Sequence, residues 1–237
     1  MSSQKTTKLL VLEGNIGAGK STFLRLLQKH LNITIIPEPA DKWQHIGQGE
    51  NLLDLFYKDT KRWAYTFQSY AFISRINMIL SHIPKHPDRF YALERSVYCD
   101  RYCFAQNCYE SGFMSHLEWQ IYKEWFSWLV ESYTPKPHGF IYLRVAPETC
   151  IQRIQIRNRF EESNLSIDYL NSLHKKHDDW LMHKKDISLE LSKIPILVLN
   201  CNKDFEHDTK ELEKHLDNAK KFISSLEIKT KEKEISL

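Results

Sequence analysis

The 237-residue sequence predicts an α/β fold: a five-stranded parallel sheet with helices on both faces. Two observations carry that expectation. Short apolar runs of strand length alternate with segments of helical spacing, the pattern of βαβ units whose crossovers place helices on both sides of a sheet. The first run, "KLLVLE" (Lys8–Glu13), also stops at a glycine loop that opens directly into a helix, as a strand buried on both faces does. No stretch rich in Pro, Gly or Ser divides the chain, so one domain spanning residues 1–237 is expected.

After the glycine loop, Phe23, Leu24, Leu26, Leu27 and Leu31 recur at helical spacing from Lys20 to Leu31. "ITIIPEP" is a second strand broken by Pro37 and Pro39. A polar stretch follows, then two helices in "NLLDLFYKD" and "KRWAYTFQSYAFISRINMILSHI", the second ended near Pro84. "RFYALERS" is the third strand, with Glu94 and Arg95 at its carboxyl end, followed by helices at Tyr98–Glu110 and Ser115–Tyr133. "GFIYLRV" (Gly139–Val145) is the fourth strand, and Pro147 suits the first turn of a helix reaching about Arg157. "SIDYLNSLHKKHDDWLMHKK" is another helix and "PILVLN" the fifth strand. Asp204 is expected to cap a last helix, and residues 228–237 to form a solvated, frayed end.

Composition narrows the function. A net charge of +3, with Lys and Arg scattered among Asp and Glu, does not point to nucleic acid as a partner. No apolar stretch is long enough to span a bilayer, so no membrane role is expected. "MSSQKTTK" is too short and polar for a secretory signal, although the trimming of a longer precursor stays open. Cys99, Cys103 and Cys108 match no zinc spacing, and the five cysteines read as reduced, small apolar side chains. A cytoplasmic location is expected, with the nucleus or an organelle left open.

Gly14, Asn15, Ile16, Gly17, Ala18, Gly19, Lys20 and Ser21 fit G-x-x-x-x-G-K-[ST], placed between a strand and a helix as that motif requires. Glycines let successive backbone N–H groups turn in around phosphate oxygens, and the helix amino end adds positive potential. Lys20 then neutralises the β and γ phosphates of an ATP-type ligand and Ser21 binds Mg²⁺. A GTPase switch is disfavoured, because "CNKDFE" breaks the N-K-x-D spacing.

The other strand ends offer an acceptor site, since ligands of such sheets bind beyond the carboxyl ends of the strands. Glu38, fixed between two prolines, either takes the proton of an attacking hydroxyl or is a surface glutamate in a turn. Glu94 and Arg95 either serve Mg²⁺ and the moving phosphoryl group or form a plain salt bridge. Arg153, Arg157 and Arg159 form either a mobile lid over the triphosphate or a solvated charged face. Gln68 and Arg75 share a helix face with Ala71 and Phe72, where Gln68 either reads a base edge or makes a helix contact.

In order and spacing, "EGNIGAGKST", "PEPADKW", "FQSYAFISR", "ERSVYCDRY", "RNRFEE" and "LNCNKDF" resemble the deoxynucleoside kinases, and within them the deoxycytidine and deoxyguanosine kinase branch. The likeness runs from about Lys8 to Phe222. It implies a P-loop kinase fold with an arginine-rich lid at about 157–164, and transfer of a γ-phosphoryl group from an ATP-type triphosphate to the 5′-hydroxyl of a 2′-deoxynucleoside in salvage. By that resemblance Glu38 is the base, Arg95 its helper, and Ser21 and Glu94 the magnesium partners, with Thr22 completing the phosphate loop. Tyr57 and Glu162 hold the 3′-hydroxyl, and Gln68 pairs with the Watson–Crick edge. Trp43, Leu53, Phe67 and Phe104 line the base pocket, while Asp204 and Phe205 touch the donor base, unless Asp204 is only a helix cap.

Arg75 and Asp100 match a polar pair that disfavours thymine, so deoxycytidine is the implied acceptor, with deoxyadenosine and deoxyguanosine as further substrates. A purine-preferring kinase is the alternative. Phe56, Asn158 and Phe160 depart from the usual family residues. A homodimer through the helices at Tyr98–Glu110 and Ser115–Tyr133 is implied too, and Trp119, Trp125, Phe126 and Trp128 offer it aromatic surface. A nucleoside monophosphate kinase and a non-catalytic nucleotide-binding module are the remaining readings.

Overall fold

A computed structural model describes residues 8–83 and 90–235, with side chains as far as residue 226. Its strands are β1 (Lys8–Gly14), β2 (Ile33–Ile36), β3 (Phe90–Glu94), β4 (Gly139–Arg144) and β5 (Ile196–Asn200). They pair in parallel in the order β2-β3-β1-β4-β5, so the α/β fold expected from the alternating pattern is present. Because successive strand residues face opposite ways, β1 serves two cores. Leu10 and Leu12 pack with Phe23, Leu24 and Leu27 on one face, and Leu9 and Val11 with Phe72, Ile76 and Tyr98 on the other.

The helices over those faces include α1 (Lys20–His30), α2 (Ala40–Gln44), α3 (Leu52–Lys58), α4 (Thr60–His82), α5 (Val97–Cys99) and α6 (Gln106–Glu110). Between α5 and α6 the chain stays helical but widens to a π-helix at Asp100–Ala105. Then come α7 (His116–Tyr133), α8 (Pro147–Arg157), α9 (Ile167–His177), α10 (Leu189–Ser192) and α11 (Thr209–Ile235). A π-helical stretch at Asp178–Met182 extends α9. A capping box sets the start of α7: Ser115 Oγ accepts from the Glu118 amide, and Glu118 accepts from the Ser115 amide. A third apolar cluster, with Trp43, Leu53, Phe56, Phe67 and Trp119, joins α2, α3, α4 and α7 beside the sheet.

Four details differ from the sequence reading. The polar stretch after β2 contains α2, and α10 precedes β5; both are too short for their periodicity to register. Asp204 does not cap the last helix. Asp208 does, its Oδ1 accepting from the amides of Lys210 and Glu211, while Asp204 Oδ1 accepts from Glu206 and His207 in the preceding turn. The backbone of α11 stays helical to Ile235, where the sequence suggests a frayed end. α4 ends at His82, and the expected stop at Pro84 lies outside the described residues.

Candidate active site

Sheet order brings the chemistry together. β1 lies between β3 and β4, with Leu12 in register with Glu94, so the glycine loop leaves β1 beside Glu94 and Arg95. β2 flanks β3 on the other side, and Glu38 follows two residues after its end.

The loop has the backbone its glycines suggest. Gly17 and Gly19 have φ of 78° and 88°, and a Cβ on them would stand 2.5 Å from the Cys150 carbonyl and 2.8 Å from the Phe205 ring. Gly19 is the N-cap of α1 and brings no side chain to the helix's first N–H groups, which leaves that end shaped for an anion. Lys20 is buried, and its Nζ donates to the carbonyls of Gly14 at 3.1 Å and Asn15 at 2.9 Å. Burial, then the nearby charge of Arg95, lowers its pKa to about 8. Ser21 Oγ donates to Glu94 Oε1 at 2.6 Å, so two hard oxygen donors suited to a magnesium ion sit side by side at the loop's edge.

Two buried arginines converge on Glu38. Its Oε1 accepts from Arg75 Nη2 at 3.0 Å and from Arg95 Nε at 3.1 Å. Burial pushes this carboxyl upward, but Arg95, Arg75 and Lys20 outweigh it and hold the pKa at about 2. Arg75 also forks onto Asp100, Nε to Oδ2 at 2.8 Å and Nη2 to Oδ1 at 3.1 Å, and its Nη1 donates to the Glu94 carbonyl. Arg95 has a φ of 66°, unusual for a residue with a side chain, and its guanidinium lies over the Phe104 ring.

A cavity of about 270 Å³ opens from this point. Lys20, Ser21, Glu38, Glu94 and Arg95 line its reactive end. Trp43, Leu53, Tyr57, Phe67 and Phe104 form its walls, with Gln68, Arg75 and Asp100 as polar groups. Gln68 is buried, its Nε2 3.8 Å from Cys108 Sγ. Phe56 is stacked on Phe67 with ring centres 4.5 Å apart, thickening the aromatic wall.

The segment expected as a lid contributes to the cavity's lining. Asn158 ends α8 in the left-handed conformation, φ 51°, which asparagine tolerates better than most residues with a side chain. Arg157 and Arg159 both donate to Glu162, and all three line the cavity. Burial, then the Glu162 charge, pushes the Tyr57 hydroxyl upward, so it stays protonated and able to donate. Phe160 projects outward near Lys58.

Other expected site residues stand elsewhere. Arg153 does not line this cavity; it donates to the carbonyls of Ala18, Cys201 and Lys203, tying the glycine loop to the turn after β5. Phe205 is buried under Gly19 and edge-on to Phe23, and Asp204 lies in an exposed turn. Asn15 is buried and donates to the Leu170 carbonyl, while Gly14, Ala18 and Thr22 are part of the loop and first turn without facing the cavity.

Three supporting groups escaped the sequence reading. Glu13 Oε1 accepts from the Ser96 amide and hydroxyl beneath Arg95, and a carboxylate at the end of an apolar run was the available signal. Glu161 Oε1 accepts from Gln44 and Asn51, each at 2.8 Å, and His177 lies against Cys99. Neither of those two has a local signature.

Comparison with known proteins agrees with this geometry. The family model described as deoxynucleoside kinase matches residues 10–224. Deoxycytidine kinase 2 of Gallus gallus is 43% identical over 94% of this chain and 93% of its own length. Deoxycytidine kinase of Mus musculus is 38% identical over 92% of each chain. Mitochondrial deoxyguanosine kinase of Xenopus laevis is also 38% identical, over 92% of this chain and 91% of its own. The chain belongs to the deoxynucleoside kinase family and is an enzyme that phosphorylates a deoxynucleoside.

Proposed function

We propose that the enzyme transfers the γ-phosphoryl group of an ATP-type triphosphate to the 5′-hydroxyl of deoxycytidine, in salvage and as a homodimer. The observation that carries the acceptor preference is the buried Arg75–Asp100 fork beside Gln68. Gln68 presents a donor and an acceptor to a base edge, and the fork fixes which polar groups face the rest of the ring. Thymine, with a carbonyl where cytosine has an amino group, leaves part of such a set unpaired.

In this reading Glu38 accepts the 5′-hydroxyl's hydrogen bond and then its proton, as the oxygen bonds to phosphorus and the diphosphate departs. A carboxylate with a pKa of about 2 is a weak base, so it orients the hydroxyl first and takes the proton late, which suits a loose phosphoryl transition state. Arg95, with Arg157 and Arg159 of the lid, bears on the charge of the moving group. Tyr57 and Glu162 hold the 3′-hydroxyl. Lys20 and the loop amides bind the donor phosphates, and Arg153 keeps that loop in shape. Ser21 and Glu94 would hold Mg²⁺, which supplies charge neutralisation to the phosphates when bound.

Of the four aromatics expected to offer dimer surface, Trp119 is buried and Phe126 packs against the core, while Trp125 and Trp128 of α7 are about half exposed and adjacent and support the dimer reading. Five free, buried cysteines support work in a reducing, cytosol-like compartment. No helix among the described residues is long and apolar enough to cross a membrane. The test is kcat/KM for the four deoxynucleosides with MgATP, side by side. Deoxycytidine is expected to lead and thymidine to trail; a lead for deoxyguanosine or deoxyadenosine would replace this reading with the purine one.

A further inference from the structure

Arg75 and Arg95 are both buried and both lean on Glu38, yet their other partners differ. Arg75 keeps Asp100 as a second anion. Arg95 points Nη1 at the Gly14 carbonyl, 3.2 Å away, and at Cys99 Sγ, 3.3 Å away. When Glu38 takes the hydroxyl proton it becomes neutral and its hold on the guanidinium weakens, so the contacts at Nη1 are what keep Arg95 aimed at the moving phosphoryl group.

We propose that Cys99, backed by His177, is the positioning residue that holds the guanidinium of Arg95 during phosphoryl transfer. His177 is fully buried, with Nδ1 2.7 Å from the Leu173 carbonyl. A carbonyl only accepts, so Nδ1 carries a proton and Nε2 faces the Cys99 sulfur at 3.3 Å. The Tyr142 ring lies parallel to the imidazole, and Phe104, which carries Arg95 on its face, meets it edge-on. Cys99 thus sits between a charged donor and a buried imidazole packed between two aromatic rings. The helix widens to its π form at the next residue, Asp100, and the sulfurs of Cys99 and Cys103 lie within 4.8 Å of each other and of His177.

Electrostatics agree with the geometry. Burial works against a thiolate at Cys99, but the Cys103 hydrogen bond and the charges of His177 and Arg95 hold its pKa well below the ordinary thiol value. Burial pushes Cys103 upward, leaving it a thiol able to donate. A metal ion among these three donors would stand next to the Arg95 cation, and no fourth ligand joins them at that spacing among the described residues. The cluster therefore serves Arg95.

This inference rests on the catalytic part proposed for Arg95. The experiment is a double-mutant cycle on the full chain with Cys99→Ala, Cys99→Ser, Arg95→Ala and their combinations, reading kcat, KM and thermal midpoint. Cys99→Ala is expected to lower kcat by about tenfold or more, with the deoxynucleoside KM held within about threefold. Cys99→Ser, which still accepts from Arg95, is expected to recover part of the loss. In the Arg95→Ala background, either Cys99 change should cost nothing further, because the residue acts through Arg95. Parental kcat in Cys99→Ala, or losses that multiply with Arg95→Ala, would overturn the inference while leaving Arg95 in place. If Cys99→Ala does not fold, the same cycle with Cys99→Ser decides. Parental kcat in Arg95→Ala would overturn both.

Discussion

Glu38 carries two arginine hydrogen bonds on one oxygen, which fixes that carboxylate and keeps it ionised at neutral pH. Glu38→Gln keeps the shape and, in the proposed mechanism, loses the proton acceptor. It is expected to fold and bind ATP normally, with kcat down by about 10²-fold or more in steady-state assays. Lys20 has a different pH signature. Its pKa of about 8 lies below the ordinary lysine value, so the free enzyme loses this charge as pH rises through 8. If Lys20 binds the donor phosphates as proposed, that needs its charged form, and the donor Kd should rise by up to about tenfold per pH unit above 8, as followed by calorimetry. A Kd flat to pH 9.5 would separate Lys20 from donor binding.

Among the elements, the lid is the one whose attachments the structure exposes. Its two neighbouring glutamates face opposite ways: Glu162 inward, to Arg157 and Arg159, and Glu161 outward, to Gln44 and Asn51 around α2 and α3. Glu161 thus ties the proposed lid segment to α2 and α3, whose residues wall the cavity. Glu161→Ala is expected to raise the deoxynucleoside KM by about three- to tenfold with a smaller change in kcat, measured at saturating donor. Asn158 can be tested separately. Asn158→Gly should be close to neutral, whereas a β-branched Asn158→Val at φ 51° should cost about 1–2 kcal/mol in urea unfolding. At this scale the sequence was readable wherever a pattern repeated or a backbone demand was sharp. The five strands, the glycine loop and the Ser115 start of α7 are all local. α2, α10 and the Asp208 cap were not readable, because a helix of one turn has no period and two aspartates four apart compete for one cap.

For the whole molecule, α7 carries exposed aromatic surface. Trp125 and Trp128 lie three residues apart on one face, with ring centres 5.8 Å apart and about half their surface open. If that face joins two copies, Trp128→Glu should shift sedimentation from dimer to monomer while each protomer keeps its fold. An unchanged dimer would move the interface elsewhere.

The glycine loop was visible in the chain itself, because it is a steric requirement written in adjacent residues. Only glycine suits the left-handed turns at positions 17 and 19, and the apolar runs reveal their own burial. What tertiary structure decided is who partners whom. Arg75 meets Asp100 25 residues away, Arg95 shares Glu38 with it, and Cys99 meets His177 78 residues away. Arg153, expected over the triphosphate from its place among the lid arginines, donates to the Ala18 carbonyl of the loop and to the Cys201 carbonyl after β5. Such pairings have no period and no motif. They follow from a buried charge needing a partner, and which partner comes within reach is settled only when the sheet has ordered its strands.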